Sequence, residues 1–256
     1  MKSASALVCA LLFLAVDLPA QSVAVRQREG LLHGFVSLKA LDGTKLADGD
    51  LLQTVTGDRV TTRLTFHFKD GSLQDETAVY SQRGQFSLIT DHLIQKGPAF
   101  PTPIDMTIDR AAGNATVRYS DDGKAKIATE RLKLPADLAN GLLPNLLKNI
   151  RSSAPPKSVG FVAATPKPRL VKLDISVAGR ETFSTGGVSR QATHYVLKVD
   201  IGGISGVLAP LVGKQPPDSH VWILEGDVPA FLAAEQPFYA GGPVWRIELV
   251  SPVFPK

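Results

Sequence analysis

Five histidines and one dense acidic pair are the residues of this chain best suited to chemistry. The histidines are His33, His67, His92, His194 and His220, and no two lie within four residues of each other, so no local zinc-ligand spacing exists. His67 shares the polar side of an alternating segment with Arg63 and Lys69 and reads as a solvated surface group. His92 follows Asp91 and precedes Ile94–Gln95–Lys96–Gly97–Pro98, which reads as a polar loop. Loops collect functional groups, although a loop histidine ordinarily bonds only nearby backbone. Asp75–Glu76, close after Asp70, forms the densest acidic cluster. Paired carboxylates serve general acid–base catalysis when burial drives their pKa values apart. Adjacent strand residues point to opposite faces, so this pair is split and reads as a hairpin flank kept soluble by charge. A metal or hydrolytic site, if present, would draw on His67, Asp75, Glu76 and His92, and these four define a hydrolase alternative.

No G-x-S-x-G elbow, H-E-x-x-H pair or P-loop is present. Gly202–Gly203–Ile204–Ser205–Gly206 is glycine-rich but lacks a following lysine or helical pattern, which leaves a hairpin or a wide strand bend. The sequence therefore assigns no catalytic residue, no metal ligand and no cofactor. Lys plus Arg number 28 against 24 Asp plus Glu, a net charge of +4, with no run of five like charges. Nucleic-acid binders concentrate basic residues on one face or tract, so nucleic acid is not an expected partner.

The elements that would position such residues are mostly strands. Met1–Lys2 is followed by an uninterrupted apolar run, Ala6–Val16, then Asp17 and Pro19. Eleven residues span about half of a ~30 Å hydrocarbon core, so the run reads as a secretory signal rather than a membrane span. Ala20 and Ala24 both suit a cleavage position, and Ser22–Val23–Ala24 has the better small-x-small pattern. The expected organisation is a signal peptide at 1–24 and one β-rich domain at 25–256, periplasmic or secreted and not membrane-spanning after cleavage. The only cysteine, Cys9, falls within the run, so the mature chain has no disulfide or thiolate chemistry.

Val60–Lys69 alternates with Val60, Thr62, Leu64, Phe66 and Phe68 on one face, and Asp70–Gly71 supplies a tight turn. Further strands are expected at 77–81, 85–90, 105–109, 115–119, 124–132, 158–163, 170–177, 193–201, 221–225 and 244–250. Between them, Leu134–Ile150 repeats leucines every four residues (Leu138, Leu142, Leu146), which predicts one helix kinked at Gly141 and Pro144, or two short ones. Ser152–Pro168 carries four prolines and reads as a connection between two strand-rich halves. The segments 95–103 and 214–220 are stiff, proline-rich loops that rim a binding mouth or simply close the end of a sheet. The expected fold is mainly β: a curved antiparallel sheet or half-barrel with the mid-chain helical segment packed on its concave face. Such a concavity would be lined by Phe66, Phe68, Leu138, Leu142, Leu146, Tyr195 and Trp245.

The feature order resembles a known family. An exported chain carries FKDGS (Phe68–Ser72), a proline-rich loop, Ile108–Asp109, an LP-D-L-N-G segment (Leu134–Gly141) and a closing VWRIEL (Val244–Leu249). Across residues 31–252 this resembles exported bacterial proteins of the domain-of-unknown-function 3108 type. More distantly it is similar to the periplasmic lipoprotein-carrier half-barrel. The first family lends no activity, and the second implies transport of acyl-chain cargo. The expected function is a non-enzymatic periplasmic binding or carrier protein for a lipid or other apolar molecule. The alternative partner is an envelope protein, for an assembly factor or scaffold working through exposed sheet edges.

Overall fold

The computed structural model describes residues 22–153, 157–185, 188–200 and 215–250. The leader run with Cys9, and Gly202–Gly206, lie outside them. Every strand among the described residues belongs to one antiparallel sheet. The first eight are β1 (Leu32–Ala40), β2 (Lys45–Thr56), β3 (Arg59–Phe68), β4 (Leu73–Ser81), β5 (Ser87–Lys96), β6 (Ile104–Asp109), β7 (Asn114–Asp121) and β8 (Lys124–Arg131). A short helix, α1 (Leu143–Asn149), precedes β9 (Lys157–Ala163), β10 (Arg169–Thr185), β11 (Val188–Asp200), β12 (Ser219–Leu224), β13 (Ala230–Pro237) and β14 (Val244–Leu249). The order across the sheet is β8-β7-β6-β5-β4-β3-β2-β1-β14-β13-β12-β11-β10-β9. Each neighbour but one is therefore a sequential hairpin. The exception is β1 against β14, with Val36 opposite Leu249 and Leu38 opposite Ile247, which joins the two halves into a single layer.

Local chemistry explains the hairpins. At the β7–β8 turn Asp122 and Gly123 take φ of 49° and 73°, the paired left-handed residues that match the twist of the flanking strands. The alternation expected in β3 is present: Val60, Phe66 and Phe68 are buried while Arg63 and His67 are exposed. Strands β1, β2 and β13 are not anticipated, because Gly34, Asp48–Gly49–Asp50 and the alanines 233–234 interrupt their apolar periodicity. β10 is also longer than expected, running to Thr185 past a bulge between Val177 and Gly179.

The mid-chain segment departs from the helical expectation over half its length. Only Leu143–Asn149 is helical, and Pro144 sits in the first turn, where no intrahelical bond is lost. Upstream, Gly141 takes a φ of 63° and ends an extended stretch. In that stretch Leu138 bridges Gly160 in parallel, and the Ala139 N–H donates to the Gly160 carbonyl at 2.9 Å. The Asn140 amide donates to the Val162 carbonyl at 2.9 Å and accepts from the Val162 N–H at 2.8 Å. Residues 138–140 thus occupy the free edge of β9. Leu138, Leu142, Leu146 and Leu147 are all buried in the main core, and α1 packs on β12 and β13. The leucine stripe is buried in the concavity, as its periodicity requires.

Gly141 lies directly against the inner side of β4 and β5. A Cβ there would fall 2.4 Å from the Ala78 Cβ and 2.7 Å from Asp91 Oδ1. Gly141→Ala is expected to destabilise the fold by about 3 kcal/mol, from clash and backbone strain together. Gly123→Ala, with nothing within 4 Å of its Cβ, should cost about 1 kcal/mol. Urea unfolding of the two variants checks the difference; equal costs would show that the seam is not close-packed.

Candidate binding site

The concave face is organised in transverse rows set by the register. One row runs Leu51, Leu64, Glu76, Leu93 and Met106 across β2 to β6. The next row toward α1 runs Gln53, Thr62, Ala78, Asp91 and Ile108, and the next row away from α1 runs Gly49, Phe66, Gln74, Gln95 and Ile104. Polar side chains on the buried face of a sheet need partners there, and their partners divide the interior.

At the α1 end, Gln53 accepts from the Asn145 amide at 3.0 Å and from the Tyr80 hydroxyl at 3.3 Å, and its own amide donates to Glu29 Oε2 at 3.0 Å and to the Gly30 carbonyl at 2.8 Å. Asn145 also donates to the Tyr80 hydroxyl. Lys148 pairs with Glu29 at 2.7 Å, both side chains largely buried. Asn149 Oδ1 accepts the backbone N–H groups of Arg26 and Gln27, each at 2.7 Å. Burial raises the Tyr80 phenol above its ordinary range. At the opposite end the Gln95 amide donates to Gln74 Oε1 at 3.0 Å and to the Phe238 carbonyl at 2.7 Å.

Between these closures the middle row is less tightly filled. Leu51, Leu64 and Glu76 are only half-buried although they point into the concavity. The Glu76 carboxyl lies on the Gly141 side of the row, where a Cβ at Gly141 would fall 3.5 Å from Oε1, and part of its surface stays accessible. Asp91, diagonal to Glu76 on β5, is fully buried, and neither carboxyl oxygen has a hydrogen-bond partner. Burial pushes the Glu76 pKa up to about 7, and burial plus the Glu76 charge pushes Asp91 well above the carboxylate range.

Beyond the Gln74–Gln95 closure this end of the concavity carries an aromatic cluster. Phe68 packs on Phe100 at 5.4 Å and on Trp245 at 5.5 Å between ring centroids, with Phe238 and Tyr239 against Trp245. A groove of about 180 Å³ opens beside it, lined by Leu46, Phe68, Ala99 and Trp245 and edged by Lys45, Lys69 and Asp70. Lys45 pairs with Asp48 at 2.5 Å.

Of the residues expected to line a cavity, Phe68 and Trp245 meet at this groove. Phe66, Leu138, Leu142, Leu146 and Tyr195 lie in the packed core. The Tyr195 hydroxyl donates to the Ile150 carbonyl at 3.0 Å, and burial pushes its pKa up to about 12. The four residues of the hydrolase alternative do not converge. His67 and His92 are exposed on the outer face, His92 pairing with Asp105 at 2.9 Å, and Asp75 is bound there by Arg63. Glu76 faces the other way. His92 lies within β5 rather than in a loop, and Glu76 faces the concave side rather than a wet hairpin flank; the register of β4 and β5 corrects both expectations. Among the described residues no cluster of three or more metal-ligating side chains forms.

The sheet does bring two sequence-distant histidines together. His194 Nε2 lies 2.9 Å from His220 Nδ1, with Glu181 at 3.0 Å on the other ring nitrogen and Trp222 stacked 4.6 Å away. Arg246 covers Trp222 at 5.1 Å and pairs with Glu235 and Glu248. Desolvation lowers the His194 pKa. This group closes the outer face and reaches neither the inner rows nor the groove. The residues missed by sequence reasoning are Gln53, Gln74, Asp91, Gln95, Asn145 and Asn149. Gln74 and Glu76 stand in phase with buried Ala78 and Tyr80, a signal visible once β4 is started at Leu73.

No family model matches the chain, including the one for the domain-of-unknown-function 3108 type, and no curated protein matches it. Among solved structures it is similar to a β-barrel-like protein of domain of unknown function DUF1849 from Brucella abortus, at 9% identity and a TM-score of 0.48, over 89% of this chain and 99% of that one.

A carboxyl that holds its proton more tightly in the folded chain than in the unfolded one makes folding favoured by acid. The Glu76 contribution is complete below pH 4.5 and is lost as pH rises to about 7. The residues beside it and Asp91 on β3, β6 and the 138–142 stretch are Leu64, Met106, Ile108 and Gly141, none charged. Unfolding free energy should therefore fall across pH 4.5–7 by on the order of 3 kcal/mol more in the wild type than in Glu76→Gln. Urea titrations at four pH values measure this, and parallel profiles would refute it.

Proposed function

We propose that this chain is a non-enzymatic binding or carrier protein for an apolar ligand, with a lipid-like molecule bearing an anionic end as the class suited to its mouth. The observation that carries this reading is the groove formed by Leu46, Phe68, Ala99 and Trp245 beside Lys45 and Lys69. Its volume of about 180 Å³ exceeds the ~150 Å³ of an engineered cavity that binds benzene and falls below the ~300–1,000 Å³ of most ligand pockets. It therefore suits the end of an acyl chain rather than a whole lipid. Lys69 makes no ion pair among the described residues and is free to meet an anionic head. Trp245 gives the test a direct readout. Sodium dodecanoate is expected to shift its fluorescence saturably, Trp245→Phe to lose the signal, and Lys69→Glu to weaken binding about fivefold. Absence of saturable binding, with no lipid retained in native mass spectrometry, would refute the reading.

The scaffold alternative would use β8, which pairs only with β7 among the described residues. Lys124, Lys126 and Arg131 stud that strand, a charge pattern that discourages strand addition, so the carrier reading is preferred.

The same reading takes the chain as exported, on its leader pattern, and the first described residues bear on where a leader would be cut. Val23 is 3% exposed, its carbonyl accepts from the Phe86 N–H at 3.0 Å, and Ala24 bridges Gln85. A cut after Ala24 would remove Val23 from the core, whereas a cut after Ala20 keeps it. N-terminal sequencing of the exported protein is expected to begin at Gln21; a start at Val25 would contradict this.

A further inference from the structure

One margin of the sheet is bare. Residues 138–140 cover β9, whereas β8 pairs only with β7 among the described residues, and only Ala128 and Glu130 of that strand are even half-buried. The phase of its free backbone follows from the hairpin. Asp121 opposes Lys124 across the two-residue turn Asp122–Gly123, and at the far end of the same ladder the Leu132 N–H donates to the Gly113 carbonyl at 2.9 Å. Hydrogen-bonded pairs alternate along an antiparallel ladder, so Lys124, Lys126, Ala128 and Glu130 are the residues bonded to β7. The N–H and C=O groups of Ala125, Ile127, Thr129 and Arg131 therefore point away from the sheet. Side chains sort with the same period. Lys124, Lys126 and Glu130 oppose Asp121, Tyr119 and Ala115 on the concave side, and Ile127, 67% exposed, opposes Arg118 on the convex side.

We propose that β8 is a self-association edge: two copies of this chain join β8 to β8, antiparallel, about a two-fold axis through Ile127. That register pairs Ala125 with Thr129 of the second copy and Ile127 with itself through their free main-chain groups, about six hydrogen bonds. Lys124 falls opposite Glu130 twice, in the closer, non-hydrogen-bonded positions, where opposite charges attract most. Lys126 falls opposite Ala128 and keeps its own partner, Asp121. Arg131 falls opposite Gly123, so no like charges meet. Sliding the register toward the turn sets Lys126 against itself or Lys124 against Lys126. Sliding it the other way shortens the overlap and separates the two Ile127 side chains. The basic residues that deter other strands thus select this one, because a second copy brings the matching glutamates. A two-fold axis normal to the sheet keeps both concave faces on one side and leaves the Trp245 groove open, so this inference is independent of the carrier reading.

Sedimentation equilibrium of the purified chain, over about a hundredfold range of concentration, tests this. A reversible monomer–dimer equilibrium in the micromolar range is expected, because one strand pair buries less than the ~1,200 Å² of stable complexes. Ile127→Pro removes a free-edge N–H and no bond to β7, so it should give a monomer whose circular dichroism is unchanged. Lys124→Glu and Glu130→Lys each set like charges opposite one another and should weaken the dimer about tenfold. Combining the two substitutions exchanges the charges and should restore it, a result that does not depend on how the proline variant folds. A monomer at every concentration, a dimer that folded Ile127→Pro leaves intact, or a double variant no tighter than either single one would overturn the proposal.

Discussion

The concavity depends on a seam. An antiparallel sheet of this length has two free edges, and only one of them is covered among the described residues. Residues 138–140 satisfy the free backbone of β9 through one main-chain bond and the two-way amide clasp of Asn140. The next residue, Gly141, then lies flat on Ala78 and Asp91 of β4 and β5. An edge at one end of the sheet is thereby laid onto the inner face of strands near the other end. Main-chain groups that would otherwise be buried without partners are matched, and the leucines that follow are delivered into the core.

The polar residues of the inner face divide the interior. Hydrophobic side chains fill space non-directionally, but amides and carboxyls require defined partners. Gln53 with Asn145 closes one end, and Gln74 with Gln95 closes the other. The aromatic mouth is thus separated from the middle row by Phe66 and the glutamine pair, and the two lie in different chemical settings. The mouth has lysines at its edge, and the middle rows carry Glu76 and Asp91.

Much of the architecture was legible in the residues. The alternation of β3, the hairpin turns and the leucine stripe all pointed to a curved antiparallel layer with a buried helical segment. The interior polar groups were not legible, for a physical reason. Alternation assigns polar residues to the wet face, and here that assumption fails on β4 and β5. The bulge between Val79 and Tyr80 shifts the phase, so Leu88 and Asp91 both point inward at an odd spacing. The strand then appears to end near Thr90, and His92 appears to lie in a loop. Pro144 misled in the opposite sense: its cost inside a helix is real, but the helix begins where that cost vanishes. Phe68 and Trp245 were singled out as apolar strand residues, yet their meeting depends on the β1–β14 pairing, which no local pattern encodes.

That pairing also constrains how the molecule is made. Val36 finds its partner Leu249 only after about two hundred further residues have appeared, some 10 to 40 s at ordinary rates of synthesis. Throughout that interval β1 can hold β2 on one side while its other side stays open, with half-exposed Leu32 and exposed Phe35 on the same strand. The nascent chain therefore presents a sticky, unpaired margin until β14 emerges, and the last strand of the sheet is the one that covers the first.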